Sequence, residues 1–429
     1  MRSSPLNPVD LPLHKKQFSA AVRPCPVCAS TAEREVLYRQ RFAAGPLGDG
    51  YAVAVCAACG AAFADGIPGQ FELDAYYAER SKYTYAHADG AESPFDFKRF
   101  EAIADQLEPH LPSKAARILD IGCATGGLLA VLQRRGYTHV VGSDPSPACA
   151  EAARRLHGIE VRTATLAEHA EWTERFDAVL LVGVLEHVRE VRAAVGIAAG
   201  LLRPGGVLYG AQPDVEGFAA CVNAPYQQFS TEHVNFFSTA SLTRLLATAE
   251  LAPVATWRWL VEWREGVTDS VVSGVFARSA QGESGRLEAS AASAGPRDAV
   301  SRGALVAYVA QSAAGEAATR QLIEELVRTQ EPLLVWGAGT LTRHLLATTP
   351  LGRANLVAFV DSSPHLHGTE LVGRRILAAT ELGGRPERIL ICSVVFAREI
   401  SRMIRSELRL PNRVIMLTEV KNIAAGEGF

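Results

Sequence analysis

The sequence lacks the features of membrane, fibrous and nucleic-acid-binding proteins. No apolar run approaches the roughly 18 residues needed to cross a bilayer, and the proline-interrupted N-terminus has no hydrophobic signal core. It has 43 basic and 46 acidic residues, so the basic excess typical of DNA- or RNA-binding domains is absent. Glycine (36) and proline (22) stand near average usage, which excludes collagen-like chains. We expect a cytoplasmic, soluble protein that contacts neither nucleic acid nor membrane.

The chain is long and carries enough apolar residues for large cores. Its 429 residues are 48% hydrophobic, and at roughly 150 residues per domain the length predicts about two to four domains. Apolar strands alternating with amphipathic helices predict an α/β fold with parallel sheets. We divide the chain into a cysteine-containing module (21–68), a tyrosine-rich segment with a helix (69–112), a first α/β domain (113–278), a linker (279–299), and a helix with a second α/β domain (300–429).

Four of the eight cysteines form two Cys-x-x-Cys pairs, whose tight turns direct two thiolates at one metal ion. Together the four complete the tetrahedral sulfur shell that Zn²⁺ prefers, with no position left open for catalysis. Redox chemistry normally uses a single pair near a helix start, while iron would accept the same four thiolates. We predict a structural zinc site formed by Cys25, Cys28, Cys56 and Cys59.

A glycine-rich turn follows the first strand of the 113–278 domain. The strand ends at Asp120, and Gly122 and Gly126 let a ligand approach the backbone. The next strand ends in Asp144, whose carboxylate can accept hydrogen bonds from ribose hydroxyls. The turn is Asp-x-Gly-x-x-x-Gly rather than the dinucleotide pattern Gly-x-Gly-x-x-Gly, and its acidic residue can support an ammonium group. The pattern therefore favours S-adenosylmethionine (SAM) over a nicotinamide cofactor.

Four segments resemble the motifs of class I SAM-dependent methyltransferases in order and spacing. They are LDIGCATGGLL, VVGSDPS, FDAVLLVGVLEHV and LRPGGVLYGAQPD. The resemblance implies methyl transfer by a central Rossmann-like domain. The residues that it implies for cofactor binding are Asp120, Gly122, Ala124, Gly126, Asp144, Pro145 and Leu185.

The order of the segments resembles the architecture of a narrower family, the sugar C-methyltransferases of antibiotic pathways. These enzymes combine a zinc module, a SAM domain and a C-terminal Rossmann-like domain, and they methylate nucleotide-linked deoxyketosugars. The resemblance implies that His233 of the Glu232-His233 pair is a general base. It also implies that tyrosines after the zinc module, here Tyr76, Tyr77 and Tyr83, contact the substrate. The chain departs from this family at Thr231, since a tyrosine usually lies near the Glu-His pair.

Other interpretations remain open for several of these residues. His187 can assist the base, or the Glu186-His187 pair can simply end the fourth strand. Aromatic residues at the spacing of the tyrosines more often pack than bind ligands.

The second α/β domain has its own glycine turn, VWGAGT, and a following strand that ends in Asp361. Gly337, Gly339 and Asp361 can hold the nucleotide of a sugar substrate, or the domain can be a Rossmann unit without a ligand. Arg343 can serve a phosphate or face solvent.

The leading hypothesis is a SAM-dependent methyltransferase acting on a nucleotide-linked sugar, as a monomer or homodimer. The alternatives are O- or N-methylation of another biosynthetic small molecule, and a regulator that binds SAM or a nucleotide sugar without turnover.

Overall fold

A computed structural model describes residues 23–80, 91–278 and 297–417, which form three sheets flanked by helices. Tyr83 and most of the predicted linker lie outside these residues. No helix in the described ranges is both long and apolar enough to span a membrane.

The N-terminal unit is an antiparallel meander followed by a helix. Its central strand is buried from Tyr51 to Cys56, because it packs against the neighbouring segments on both faces. The elements are β1 (Arg34–Arg41), β2 (Gly50–Cys56), β3 (Ala62–Asp65) and α1 (Gln70–Glu79).

The central unit begins with a helix whose start is set by a capping box. The Ser93 hydroxyl accepts the Asp96 backbone N–H at 3.2 Å, while the Asp96 carboxylate accepts the Ser93 backbone N–H at 3.0 Å. The helices are α2 (Pro94–Leu107), α3 (Gly127–Arg134), α4 (Pro147–His157), α5 (Val191–Gly200) and α6 (Thr239–Ala247). The strands are β4 (Arg117–Ile121), β5 (His139–Asp144), β6 (Val161–Thr163), β7 (Phe176–Val182), β8 (Leu202–Pro213), β9 (Asn235–Phe236), β10 (Leu251–Arg264) and β11 (Val267–Arg278).

Seven of these strands form one sheet in the order β10-β11-β8-β7-β4-β5-β6. The strands from β4 to β8 are parallel, and the β10–β11 hairpin adds two antiparallel strands at one edge. Strand β9 instead pairs with β3, with Ala62 opposite Phe236. The N-terminal meander is therefore completed by a strand from the central unit, so the two units share a sheet.

The C-terminal unit forms a second, mostly parallel sheet flanked by helices. Its helices are α7 (Ser301–Thr329), α8 (Thr340–Thr348) and α9 (Ala397–Arg402). Its strands are β12 (Leu333–Trp336), β13 (Leu356–Val360), β14 (Glu370–Leu371), β15 (Arg374–Leu377), β16 (Arg388–Ile391) and β17 (Val414–Met416). The sheet order is β14-β15-β13-β12-β16-β17, in which only β14 is antiparallel.

The predicted α/β architecture with two Rossmann-like sheets is thus confirmed. Parallel strands bring all their carboxyl ends to one edge of a sheet, where ligands bind in such folds. In the central sheet β4 lies between β5 and β7, so the turns that follow these three strands are neighbours.

Candidate active site

The first glycine loop joins β4 to α3 and adopts a backbone that favours glycine. Gly122 and Gly126 have φ of +75° and +83°, in the left-handed region. A side chain at Gly122 would also meet the Val184 Cγ2 atom at 2.6 Å. Ala124 shares the left-handed conformation, with φ of +48°, although the methyl group of alanine is sterically disfavoured there.

Asp144 holds this loop from the end of β5. Its Oδ2 atom accepts the Ala124 backbone N–H at 3.0 Å, and its Oδ1 atom accepts the Ser146 backbone N–H at 2.9 Å. Pro145 lies between Asp144 and Ser146 in the chain, just before α4. Each carboxylate oxygen has a second lone pair, so Asp144 keeps acceptor capacity for a ligand hydroxyl.

Two buried carboxyl groups make the loop suitable for a cation. Burial and, to a smaller extent, the neighbouring Asp144 charge raise the pKa of Asp120 to about 8. Burial also raises the pKa of Asp144, against the lowering effect of its two backbone hydrogen bonds. An ammonium or sulfonium group near these carboxylates would favour their ionised forms, which is the charge pattern of SAM.

Leu185 is fully buried in the core. Its backbone N–H donates to Gln212 Oε1 at 3.2 Å, and its carbonyl accepts from Asn235 Nδ2 at 2.6 Å. The side chain and both backbone groups thus have protein partners, and cofactor contact by Leu185 stays a prediction.

His187 lies in the turn after β7, within reach of two elements distant in sequence. Its Nδ1 atom is 2.9 Å from the Tyr77 hydroxyl oxygen and 3.1 Å from the Glu232 carbonyl oxygen. A carbonyl only accepts hydrogen bonds, so Nδ1 can bond to Glu232 only as a donor, whereas the Tyr77 hydroxyl can pair with it in either role. The Nε2 atom of His187 is 3.8 Å from Glu186 Oε1.

The predicted Glu232-His233 pair lies beside His187. The imidazole rings of His187 and His233 are 5.2 Å apart between centroids, in an edge-to-face arrangement. Ligand atoms of Glu186, His187 and His233 all lie within 4.8 Å of one another. Two imidazoles and a carboxylate at this spacing can pass a proton among themselves, or hold a cation.

Helix α1 supplies two tyrosine hydroxyls to the same cluster. Tyr76 donates to Glu232 Oε1 at 2.9 Å, and its ring lies 5.3 Å from that of Tyr77. The structure therefore brings together five of the predicted residues from three separate segments. We call Tyr76, Tyr77, His187, Glu232 and His233 the histidine cluster. Tyr83 is outside the described residues.

The four predicted cysteines converge in the N-terminal unit. Their sulfur atoms all lie within 4.8 Å of one another, with Cys25 Sγ 3.6 Å from Cys59 Sγ and Cys28 Sγ 3.7 Å from Cys56 Sγ. A zinc–sulfur bond of about 2.3 Å gives a tetrahedron whose edges are about 3.8 Å long. The sulfur geometry thus fits one zinc ion, and all four cysteines are free of disulfides.

The second glycine loop, between β12 and α8, is held by a carboxylate in the same way as the first. Gly337 has φ of +106°. Asp361 Oδ2 accepts the Ala338 backbone N–H at 2.7 Å, and Asp361 Oδ1 accepts the Ser363 backbone N–H at 2.8 Å. Gly339 precedes α8 as its N-cap residue.

Arg343 does not face solvent, so that sequence-based interpretation of it is wrong. Its guanidinium donates to the carbonyl of Ala338 at 3.0 Å and to the carbonyls of Ala43 and Ala44 in the N-terminal unit. Only 9% of the residue is exposed. Arg343 therefore fastens the C-terminal unit to the β1–β2 loop.

Sequence reasoning did not single out Glu92, which contacts the first glycine loop through Thr125. The capping box beside it indicates only where α2 begins, so only the folded chain reveals the contact with the loop.

Comparisons with known proteins match the central unit to methyltransferases. Residues 95–256 match a family model described as a methyltransferase domain. A ubiquinone biosynthesis O-methyltransferase of Methylocella silvestris is 36% identical over 161 residues, which cover 34% of this chain and 62% of that protein. One from Rhizobium etli is 40% identical over 110 residues, covering 24% and 44%. The chain thus spans less than two thirds of the length of these relatives.

Two solved structures that this chain partly resembles are also methyltransferases by name. The 1,6-didemethyltoxoflavin-N1-methyltransferase of Burkholderia thailandensis is 20% identical, covering 52% of this chain and 98% of that one, with a TM-score of 0.38. The magnesium protoporphyrin IX methyltransferase of Synechocystis is 17% identical, covering 49% and 97%, with a TM-score of 0.35. Residues 95–256 are thus similar to a methyltransferase domain, and the curated relatives of this part of the chain are methyltransferases by name.

Proposed function

We propose that the protein is a SAM-dependent methyltransferase that methylates a carbon atom of a nucleotide-linked deoxyketosugar. The observation that carries the proposal is the histidine cluster beside a methyltransferase domain. A methyl group on a sulfonium is transferred by in-line displacement, for which positioning is the main requirement. Methylation of carbon additionally needs a base for the proton next to the ketone, and the cluster supplies imidazoles with hydroxyl partners.

The residues of this chain have separate roles in the proposal. The first glycine loop with Asp120 and Asp144 holds the cofactor, which supplies the methyl group. His233 takes the α-proton, while His187 and Glu232 orient the base and spread its charge. The Tyr77 hydroxyl donates to the enolate oxygen, while Tyr76 keeps its hydrogen bond to Glu232. The carbanion carbon then forms the new bond as the carbon–sulfur bond breaks.

The second glycine loop is the proposed site for the nucleotide. Two features support this assignment: its likeness to the first loop, and its electrostatic link to the histidine cluster. Burial lowers the pKa of Arg343, whereas the nearby Tyr76 and Asp361 both raise it. Tyr76 belongs to the histidine cluster and Asp361 to the second loop, so Arg343 lies near both.

Zinc in the four-cysteine site is a further part of the proposal. Four thiolates close the coordination shell, so the ion would hold the meander together and take no part in methyl transfer.

Mass spectrometry and proton exchange test the proposal together. The protein is incubated with SAM and with thymidine- or uridine-diphosphate 4-keto-6-deoxysugars, and methylated products are identified by mass. In D₂O, wild type should exchange the α-proton of its substrate. His233→Gln should lose about 10²- to 10⁴-fold in turnover and lose this exchange, while still binding S-adenosylhomocysteine (SAH). His139→Gln, at an exposed position on β5, is the matched control and should behave as wild type.

O-methylation is the second candidate, because the matching relatives are named O-methyltransferases. A hydroxyl acceptor needs no α-proton removal. Methylated hydroxyl groups without α-proton exchange would therefore replace the carbon proposal with this one. Binding of SAH without turnover on any acceptor would instead favour a regulator.

A further inference from the structure

Glu92 is a buried carboxylate at the entrance to α2, outside the segment that matches the methyltransferase family model. Its side chain is 7% exposed, and it immediately precedes Ser93, the N-cap residue of that helix. The family match begins at residue 95, so it assigns no role to Glu92.

The carboxylate bridges two elements around the first glycine loop. Glu92 Oε1 accepts the Thr125 hydroxyl at 2.8 Å, and Thr125 lies between the left-handed residues Ala124 and Gly126. Glu92 Oε2 lies 2.8 Å from His157 Nε2, at the last residue of α4. One side chain therefore joins the start of α2, the glycine loop and the end of α4.

The glycine at the start of α3 makes this approach possible. A methyl group at Gly127 would lie 2.5 Å from Glu92 Oε1 and 2.6 Å from Glu92 Cγ, closer than real contacts allow. The N-cap residue of α3 is Gly126, which has no side chain to accept the first backbone N–H groups. Glu92 places a carboxylate at this helix N-terminus, where negative charge is favourable.

We propose that Glu92 is a positioning residue of the cofactor site, which holds the glycine loop for the amino-acid end of SAM. This inference rests on the proposed function of the loop. The loop follows the buried Asp120, whose carboxylate suits an ammonium group, and Glu92 contacts both Thr125 and the start of α3. The adenosine end is held from β5, through Asp144, and does not use the Glu92 contacts.

Calorimetric titration with two ligands tests this assignment. The probes are SAH, and methylthioadenosine, which keeps the adenosine and lacks the amino-acid end. Glu92→Gln should weaken SAH binding about tenfold, because hydrogen bonds to a charged group are lost or weakened. It should change methylthioadenosine binding by less than about twofold. With active substrate, the KM for SAM should rise while kcat at saturating SAM is kept.

Glu101→Gln is the matched control. Glu101 also joins α2 to α3 by an ion pair, but its partner Arg135 is at the opposite end of α3. This variant loosens the same two helices without touching the glycine loop. It should leave the binding of both ligands unchanged.

Each outcome is decisive. Equal weakening of both ligands by Glu92→Gln, or the same loss of SAH binding in Glu101→Gln, would assign Glu92 a purely structural role and overturn the proposal. Unchanged or tighter SAH binding in Glu92→Gln would overturn it as well. Wild type that binds neither ligand would instead reject the cofactor site itself, and the Glu92 proposal with it.

Discussion

Asp144 and Asp361 hold two separate glycine loops by the same pair of hydrogen bonds. Each carboxylate accepts one backbone N–H from the middle of its loop and one from the residue two positions after itself. A carboxylate placed this way organises backbone N–H groups at the carboxyl edge of a parallel sheet. The chain therefore contains two loops prepared in the same manner, one in each Rossmann-like sheet.

The two loops differ in which residue types adopt the left-handed backbone conformation. In the second loop the positive φ belongs to Gly337, whereas in the first it includes Ala124. The methyl group of Ala124 costs about 1–2 kcal/mol in the left-handed region.

Replacing Ala124 by glycine should stabilise the protein. Relief of the steric cost exceeds the extra chain entropy of glycine, about 0.5–1 kcal/mol, so the free energy of unfolding should rise by about 0.5–1 kcal/mol. Chemical denaturation monitored by circular dichroism measures the change. Ala130→Gly in α3 is the control, since the same replacement in a helix should cost about 1 kcal/mol. A loss of stability in Ala124→Gly would show that the loop gains from the methyl group.

Asp120 should make the stability of the ligand-free protein fall with rising pH. Burial raises the pKa of Asp120 to about 8 from an ordinary value of 3.8. Between these two values the folded state keeps a proton that the unfolded state has released. The stabilising contribution of Asp120 is therefore fully present below about pH 4 and is lost as the pH rises through 8.

Asp120→Asn removes this titration, because an amide resembles the protonated carboxyl and carries no charge. The variant should be more stable than wild type by up to about 5 kcal/mol at pH 8, with the difference becoming small near pH 4. Thermal unfolding across this pH range measures it. Asp105→Asn, at a carboxyl with 71% of its side chain exposed, should show no comparable trend. A stability difference for Asp120→Asn that does not vary with pH would contradict the expected titration.

Removal of the metal should destabilise the N-terminal unit. We expect one zinc ion per chain by elemental mass spectrometry, lost on treatment with a strong chelator. Cys28→Ser should lose the ion, and because metal loss is among the largest single-site effects, the cost should reach about 4 kcal/mol or more. Cys392→Ser, a buried cysteine of the C-terminal unit, should keep the metal. Iron in the purified protein would change the identity of the ion, and a metal-free protein of unchanged stability would reject the site.

Local patterns were enough to predict the α/β units, the glycine loops and the convergence of the cysteines. These features depend on hydrophobic period, glycine in left-handed turns and short ligand spacing, all of which act within a few residues. The pairing of β9 with β3 was not predictable in this way. A two-residue strand has no period, and its partner lies in another segment.

The sequence by itself determined which residues are candidates for the chemistry: the carboxylates at the strand ends, the Glu232-His233 pair and the tyrosines. The tertiary structure alone decided how they meet. It brought the Tyr76 hydroxyl to Glu232 and the Arg343 guanidinium to backbone carbonyls of the N-terminal unit. It also placed the Glu92 side chain close to Gly127. Such contacts join residues far apart in the chain. They depend on how the faces of packed elements align, and no local propensity encodes that alignment.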